Sequence, residues 1–351
     1  MHHYTALPSI FSYHDLAPNL DLPALLRKLS PPPRFAHTTL ASYLPDPHHP
    51  TQAAAKAYLQ NFVARLNRQQ NGLGKLLKAF VPENIVGIYL NGGFGVGKTH
   101  LLAGVYQAFA GKKVYLSFTE LMYLIGYLGL ERASAELGAA QLICIDEFEL
   151  DDPGNTTMAL GFLQRVFAQG AVVVTTSNTP PSRLGEGRFA VQDFQREIAM
   201  LSAKFHVVRI DGPDYRLRHH ASQSTHSTWH LQGLRRLFSD YHPAKLRKKA
   251  YFTGEELSHF LRQLHPMRYL EIAEMLDAVF LEHLAALTDQ YDALRFVYFV
   301  DKLYDYQSKL FVADSVPIET LFPSDFYKSA YAKKYLRCLS RLREICEQAP
   351  A

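Results

Sequence analysis

Short, almost wholly apolar runs recur through the middle of the chain: IVGIYLN (85–91), KKVYLSF (112–118), LICIDEF (142–148), AVVVTTSN (171–178) and HVVRIDG (206–212). Between them lie longer stretches with apolar residues three and four apart, as in THLLAGVYQAFA (99–110). Buried strands alternating with helices predict an α/β fold, a parallel sheet covered by helices on both faces. In such sheets the strand ends are where chemistry collects.

The flanks read differently. Up to residue 82 the chain opens with proline- and histidine-rich segments, PPPRF (31–35) and YLPDPHHPTQ (43–52), which suggest an extended arm. QAAAKAYLQNFVARLNRQ (52–69) then reads as a helix. On the far side, RHHASQSTHST (218–228) is polar and has no hydrophobic period, which marks a boundary. The expected organisation is therefore an N-terminal arm and helix (1–82), an α/β core (83–218) and a smaller, mostly helical C-terminal domain (219–351). In that last part AYFTGEELSHFLRQ (250–263), LEIAEMLDAVFLEHL (270–284) and YDALRFVYFVDKLYDYQ (291–307) carry the helical character. KLFVAD (309–314) reads as a strand, and AYAKKYLRCLSRLREICEQ (330–348) as a basic amphipathic helix.

Composition narrows the class. The 351 residues suit about two domains of ~150 residues. With 48% hydrophobic and 20% charged residues, the chain is globular rather than disordered. A net charge of +4 does not argue for a dedicated nucleic-acid binder. The three cysteines, Cys144, Cys338 and Cys346, contain no C-x-x-C pair, so neither a disulfide framework nor a zinc site is indicated. The longest apolar run, LMYLIGYLGL (121–130), falls short of the ~20 residues of a membrane span. No secretion signal or transit peptide is visible, and a reducing, cytoplasmic setting is expected.

The chemistry starts at NGGFGVGKTH (91–100). Gly92, Gly97, Lys98 and Thr99 match the spacing of a phosphate-binding loop set between a buried strand and a helix. Gly92, Gly93, Phe94, Gly95, Val96, Gly97, Lys98, Thr99 and His100 are thus the candidate nucleotide-binding residues. In this motif backbone N–H groups face a polyphosphate, the lysine reaches its terminal phosphates and the threonine hydroxyl ligates Mg²⁺. LICIDEF supplies the complement: Asp146 can join the Mg²⁺ shell and Glu147 can orient or deprotonate a water. At the end of AVVVTTSN, Asn178, or Thr176 or Ser177 beside it, can hydrogen-bond a γ-phosphate or that water. Arg188 and Arg196 are candidates for an arginine delivered from a neighbouring subunit. Arg295 can fold back over the phosphates, or it can pair with Asp292 or Asp301 on its own helix. The histidines show no metal-ligand spacing.

Taken together, PPPRF, PDPHHPTQAAA, GIYLNGGFGVGKTHLL, ICIDEF, TTSNTPP, the GRF and FQREI region, RIDGPDYR and ALRFVYFVDKLYD resemble the ZapE-type, AFG-like branch of the AAA+ ATPases. The phosphate loop alone is common to many ATPases, whereas RIDGPDYR and the C-terminal RF-x-x-x-VDKLYD pattern are narrow. The resemblance implies ATP and Mg²⁺ as cofactors, Asn178 as γ-phosphate sensor and Arg295 as second sensor. For the arginine acting in trans it favours Arg188, with Arg196 as substitute, because the position of the usual S-R-F reads Ser202-Ala203-Lys204-Phe205. Gln52 is expected near the base or an adjacent loop. The resemblance further implies a homo-oligomer in the bacterial cytoplasm, peripherally associated with membrane. There ATP hydrolysis would remodel or regulate a protein partner, the division-ring protein FtsZ or clients of membrane-protein quality control. Two alternatives stand beside it: a DNA-acting ATPase of the helicase-loader type, and a slow nucleotide-dependent scaffold. KLRKK (245–249) is the one compact basic cluster before the tail, so nucleic acid is not favoured.

Overall fold

The computed structural model describes residues 10–16, 21–70, 87–150, 153–184, 196, 198–200, 202–213, 229–244 and 246–347. The central apolar runs form strands β1 (Gly87–Gly92), β2 (Lys113–Ser117), β3 (Leu142–Asp146), β4 (Val172–Ser177) and β5 (Phe205–Ile210). All pair in parallel, in the order β2-β3-β4-β1-β5. Burial accounts for that order. β3 is buried at every residue and β4 at all but its first, as strands covered on both faces must be. The edge strand β5 leaves Val207 and Arg209 exposed.

Helices α1 (Leu22–Arg27) and α2 (Pro50–Gln70) precede β1, and α3 (Lys98–Ala108) follows it. One layer of the core joins Leu59 and Val63 of α2, Leu101, Leu102 and Val105 of α3, and Ile88, Leu90, Cys144 and Val174 from the strands. The proline-rich segment read as an arm contributes Leu40 and Tyr43 to the same cluster. Tyr89 points to the opposite face of β1, because side chains alternate along a strand. There it meets the rings of Phe148 and Phe205 edge-on. Phe118, which opens α4 (Phe118–Leu128), and Phe167 of α6 (Pro153–Ala168) extend that aromatic layer, and α5 (Leu130–Gly138) links the two helices in the chain.

The chain divides into two compact units. One holds Leu26–Pro31 and Phe35–Ser222; the other holds Met1–Leu25, Pro32–Arg34 and Gln223–Ala351. Residues before 82 are shared between them. The second unit contains α7 (Leu231–Asp240), β6 (Lys248–Thr253), α8 (Gly254–Gln263), α9 (Tyr269–Met275), β7 (Leu276–Glu282), α10 (Gln290–Asp305), β8 (Lys309–Ala313) and α11 (Ala332–Ile345). Helices dominate it, around a three-stranded parallel sheet in the order β6-β7-β8.

That sheet corrects the reading of residues 270–284 as wholly helical. The helix stops at Met275 and LDAVFLE becomes the central strand, buried everywhere except at Asp277. A short apolar run buried on both sides has no period that separates strand from helix. Among the described residues, no helix is long and apolar enough to cross a membrane.

Candidate functional site

β1 lies between β4 and β5 although β2 follows it in sequence, so the C-terminal ends of β1, β3 and β4 converge where the chain's direction of travel across the sheet reverses. Gly92, Asp146 and Ser177 are the last residues of those strands. Gly92 and Gly97 are required here for steric reasons. Gly97 has φ 85°, and a Cβ there would stand 2.5 Å from the Tyr43 ring. A Cβ at Gly92 would stand 2.2 Å from the Ile210 carbonyl oxygen. Gly97 caps α3 without a side chain, so the first N–H groups of the helix and its positive dipole end are left for an anion.

Lys98 is buried at the start of α3. Its Nζ donates to the carbonyl oxygens of Gly92 (3.0 Å) and Gly93 (2.5 Å) and to Asn178 Oδ1 (2.7 Å). The lysine of the loop and the polar end of β4 are thereby joined. Thr99 Oγ1 lies 3.2 Å from Asp146 Oδ1, while Tyr115 OH donates to Asp146 Oδ2 at 3.0 Å. Burial, and then the charge of Glu147, push the Asp146 carboxyl above its usual range, against hydrogen bonds from Thr176, Tyr115 and Thr99. A buried carboxylate beside a hydroxyl is a hard-oxygen pair that gains from a divalent cation, so Thr99 and Asp146 fit Mg²⁺.

At Glu147 the backbone leaves the strand with φ 58°, a conformation uncommon for a residue with a side chain. Thr176 holds it there. The Glu147 N–H donates to Thr176 Oγ1 at 2.9 Å, and that hydroxyl donates to Asp146 Oδ1. The Phe148 N–H donates to the Thr176 carbonyl at 2.7 Å. Thr176 therefore faces Asp146 and the Glu147 backbone, which separates it from Asn178, whose side chain faces Lys98.

The remaining candidates are placed as follows. Phe94 is 41% exposed on the loop. The His100 ring turns to the 39–43 segment: its Nε2 is 3.1 Å from Ser42 Oγ and 3.3 Å from the Thr39 carbonyl oxygen. Gln52 is buried; its Oε1 accepts the Asp46 N–H at 2.8 Å and its Nε2 donates to the Asp211 carbonyl at 2.9 Å, so it ties adjacent loops together. Arg196 is exposed, and Arg188 lies outside the described residues. Arg295 belongs to α10 of the second unit and takes neither partner considered for it. Asp292 pairs with Arg262, and Asp301 pairs with Arg337 and Arg341. Among the described residues Arg295 makes no hydrogen bond or ion pair, and its buried Nε is unpartnered.

Sequence reasoning missed three residues. Tyr43 donates its hydroxyl to the Val96 carbonyl at 2.9 Å, Tyr115 reaches Asp146 from β2, and Glu149 holds the end of β4. Tyr43 and Tyr115 sit in segments without a motif, so only the acid three places after Asp146 carried any signal.

A strand, a glycine loop and a helix carrying Lys98 and Thr99, opposite a strand that ends in paired acids, define a P-loop ATPase. Within that class the chain belongs to the AFG1-like ATPase family, whose sequence model matches residues 22–349. It is 28% identical to the cell division protein ZapE of Escherichia coli K12 over 296 residues, 74% of this chain and 77% of the relative. An uncharacterized protein of Schizosaccharomyces pombe is 23% identical over 338 residues, 77% of this chain and 74% of that one. Among solved structures, a crystal structure of DnaI overlaps 52% of this chain and 93% of its own, with TM-score 0.41 and 19% identity.

Proposed function

We propose that this protein hydrolyses ATP with Mg²⁺ and uses the cycle to remodel or regulate a protein partner. The observation that carries the reading is the pairing of Lys98 with Asn178 and of Thr99 with Asp146 at the C-terminal edge of one sheet, with Glu147 next in the chain. Lys98 neutralises charge on the terminal phosphates, and the N–H groups of the loop and of the α3 N-terminus orient them. Thr99 and Asp146 hold the cation, which when bound supplies charge neutralisation on the phosphate oxygens. Glu147 orients or deprotonates the attacking water, and Asn178 reads the γ-phosphate. Arg295, whose buried Nε has no hydrogen-bond partner among the described residues, acts as the second sensor. Arg188, or Arg196 in its place, completes the site of a neighbouring copy in a homo-oligomer.

For the partner, the name of the E. coli relative directs attention to the division machinery, with FtsZ as the first protein to try and the cytoplasmic face of the membrane as the setting. The test of the enzymatic reading is steady-state ATP hydrolysis with Mg²⁺ by the wild type, Lys98→Ala and Glu147→Gln. Activity lost in both variants, with nucleotide binding lost only in Lys98→Ala, is the expected result. Wild-type turnover by Glu147→Gln would overturn it.

A further inference from the structure

Glu149 lies three residues beyond Asp146, past the end of β3, and is only 9% exposed. A buried carboxylate must have its oxygens satisfied. Here three donors come from one turn at the end of the neighbouring strand. Glu149 Oε1 accepts from Ser177 Oγ at 3.1 Å and from the Asn178 N–H at 3.1 Å, and Oε2 accepts from Thr179 Oγ1 at 2.9 Å. Opposite it, Tyr89 OH donates to the Thr179 carbonyl at 2.7 Å, while the Thr179 N–H closes onto Ser177 Oγ at 3.0 Å. The turn is clamped from β3 and from β1, and Asn178 sits at its centre with Oδ1 2.7 Å from Lys98 Nζ.

We infer that Glu149 is a positioning residue for hydrolysis, acting through Asn178: it fixes the backbone of residues 177–179 and so the direction in which the Asn178 amide points. The inference rests on the proposed role of Asn178 as γ-phosphate sensor. The physical reason is that one carboxylate binds the residue before the sensor, the sensor's own N–H and the residue after it. With that carboxylate gone, the Asn178 N–H and two hydroxyls are released and the amide is no longer aimed. A ligand that binds through the loop and α3 does not depend on that aim.

The test is a mutant cycle on the full chain, with Glu149→Ala, the near-isosteric Glu149→Gln, Asn178→Ala and the Glu149→Ala/Asn178→Ala double variant. ATP turnover and binding of a fluorescent ADP analogue are both measured. Glu149→Ala is expected to lower kcat about tenfold or more, as loss of an orienting partner does, with ADP affinity unchanged within about twofold. Glu149→Gln keeps an acceptor at Oε1 and falls between wild type and Glu149→Ala. In the Asn178→Ala background, loss of Glu149 has little further effect, because residues acting as one unit are not additive. Asn178→Ala at the wild-type rate would overturn the sensor reading and this inference together. A slow Asn178→Ala with a wild-type Glu149→Ala, or a Glu149→Ala loss equally large in both backgrounds, would overturn the role of Glu149 alone. So would a loss matched by weakened ADP binding, which marks a residue that only supports the fold.

Discussion

One hydroxyl governs both acids of the site. Thr176 is almost completely buried, accepts the Glu147 N–H and donates to Asp146. Replacing it by valine keeps the branched shape and removes the hydroxyl, leaving a donor on Glu147 unsatisfied and Asp146 one bond short. Thr176→Val is expected to remain folded, to hydrolyse ATP about tenfold more slowly and to need more Mg²⁺ for half-maximal rate. A Mg²⁺ titration of the rate checks this, and an unchanged midpoint with an unchanged rate rules it out. The same residue shows how far the chain can be read locally. That β4 ends in polar residues facing a phosphate loop is apparent from AVVVTTSN. Which of Thr176, Ser177 and Asn178 faces the acids and which faces the lysine is decided by the partners across the sheet.

At the scale of elements, α10 and α11 are joined by a buried charge cluster. Asp301 of α10 pairs with Arg337 at 2.6 Å and with Arg341, both on α11. Burial alone would raise the Asp301 pKa, but the two guanidinium groups outweigh it and hold the carboxyl below its ordinary 3.8. A carboxylate with a depressed folded pKa adds stability that is present above its unfolded value and is lost as pH falls through the folded one. Asp301→Asn removes the buried carboxylate that both guanidinium groups pair with and is expected to cost about 3 kcal/mol at neutral pH. The gap between wild type and variant should close in acid below the ordinary carboxylate value. Urea unfolding of both proteins at neutral and acidic pH measures it, and a gap that stays constant with pH counts against the cluster as its source. The helix pattern at 291–307 likewise points Arg295 to the wrong partner. Asp292, three residues away, is within reach along the helix, but Arg262 takes it from outside, and no local spacing announces that.

For the whole molecule, the question is whether one chain makes a complete ATPase. An arginine supplied in trans makes activity depend on neighbours, so hydrolysis per molecule should rise with protein concentration. Mixing Arg188→Ala into wild type at saturating protein should then change specific activity out of proportion to the wild-type fraction, by poisoning mixed assemblies or by leaving their intact sites active. Strict proportionality across the mixing series would remove the trans arginine. Arg196→Ala, run in parallel, decides between the two candidates.

By itself the sequence determined the alternation of strand and helix, the phosphate loop with Lys98 and Thr99, and the acids Asp146 and Glu147 at a strand end. Each of these is written in contiguous residues, through hydrophobic period, glycine sterics or fixed spacing. Tertiary structure alone decided that β7 is a strand rather than a helix, because burial on both faces erases the period. It also brought Tyr43, Tyr115 and Glu149 to the candidate site and decided that Thr176, rather than Asn178, faces the acids. These residues act across the sheet or from a distant segment, and a hydrogen bond between residues 28 or more positions apart leaves no mark in local pattern.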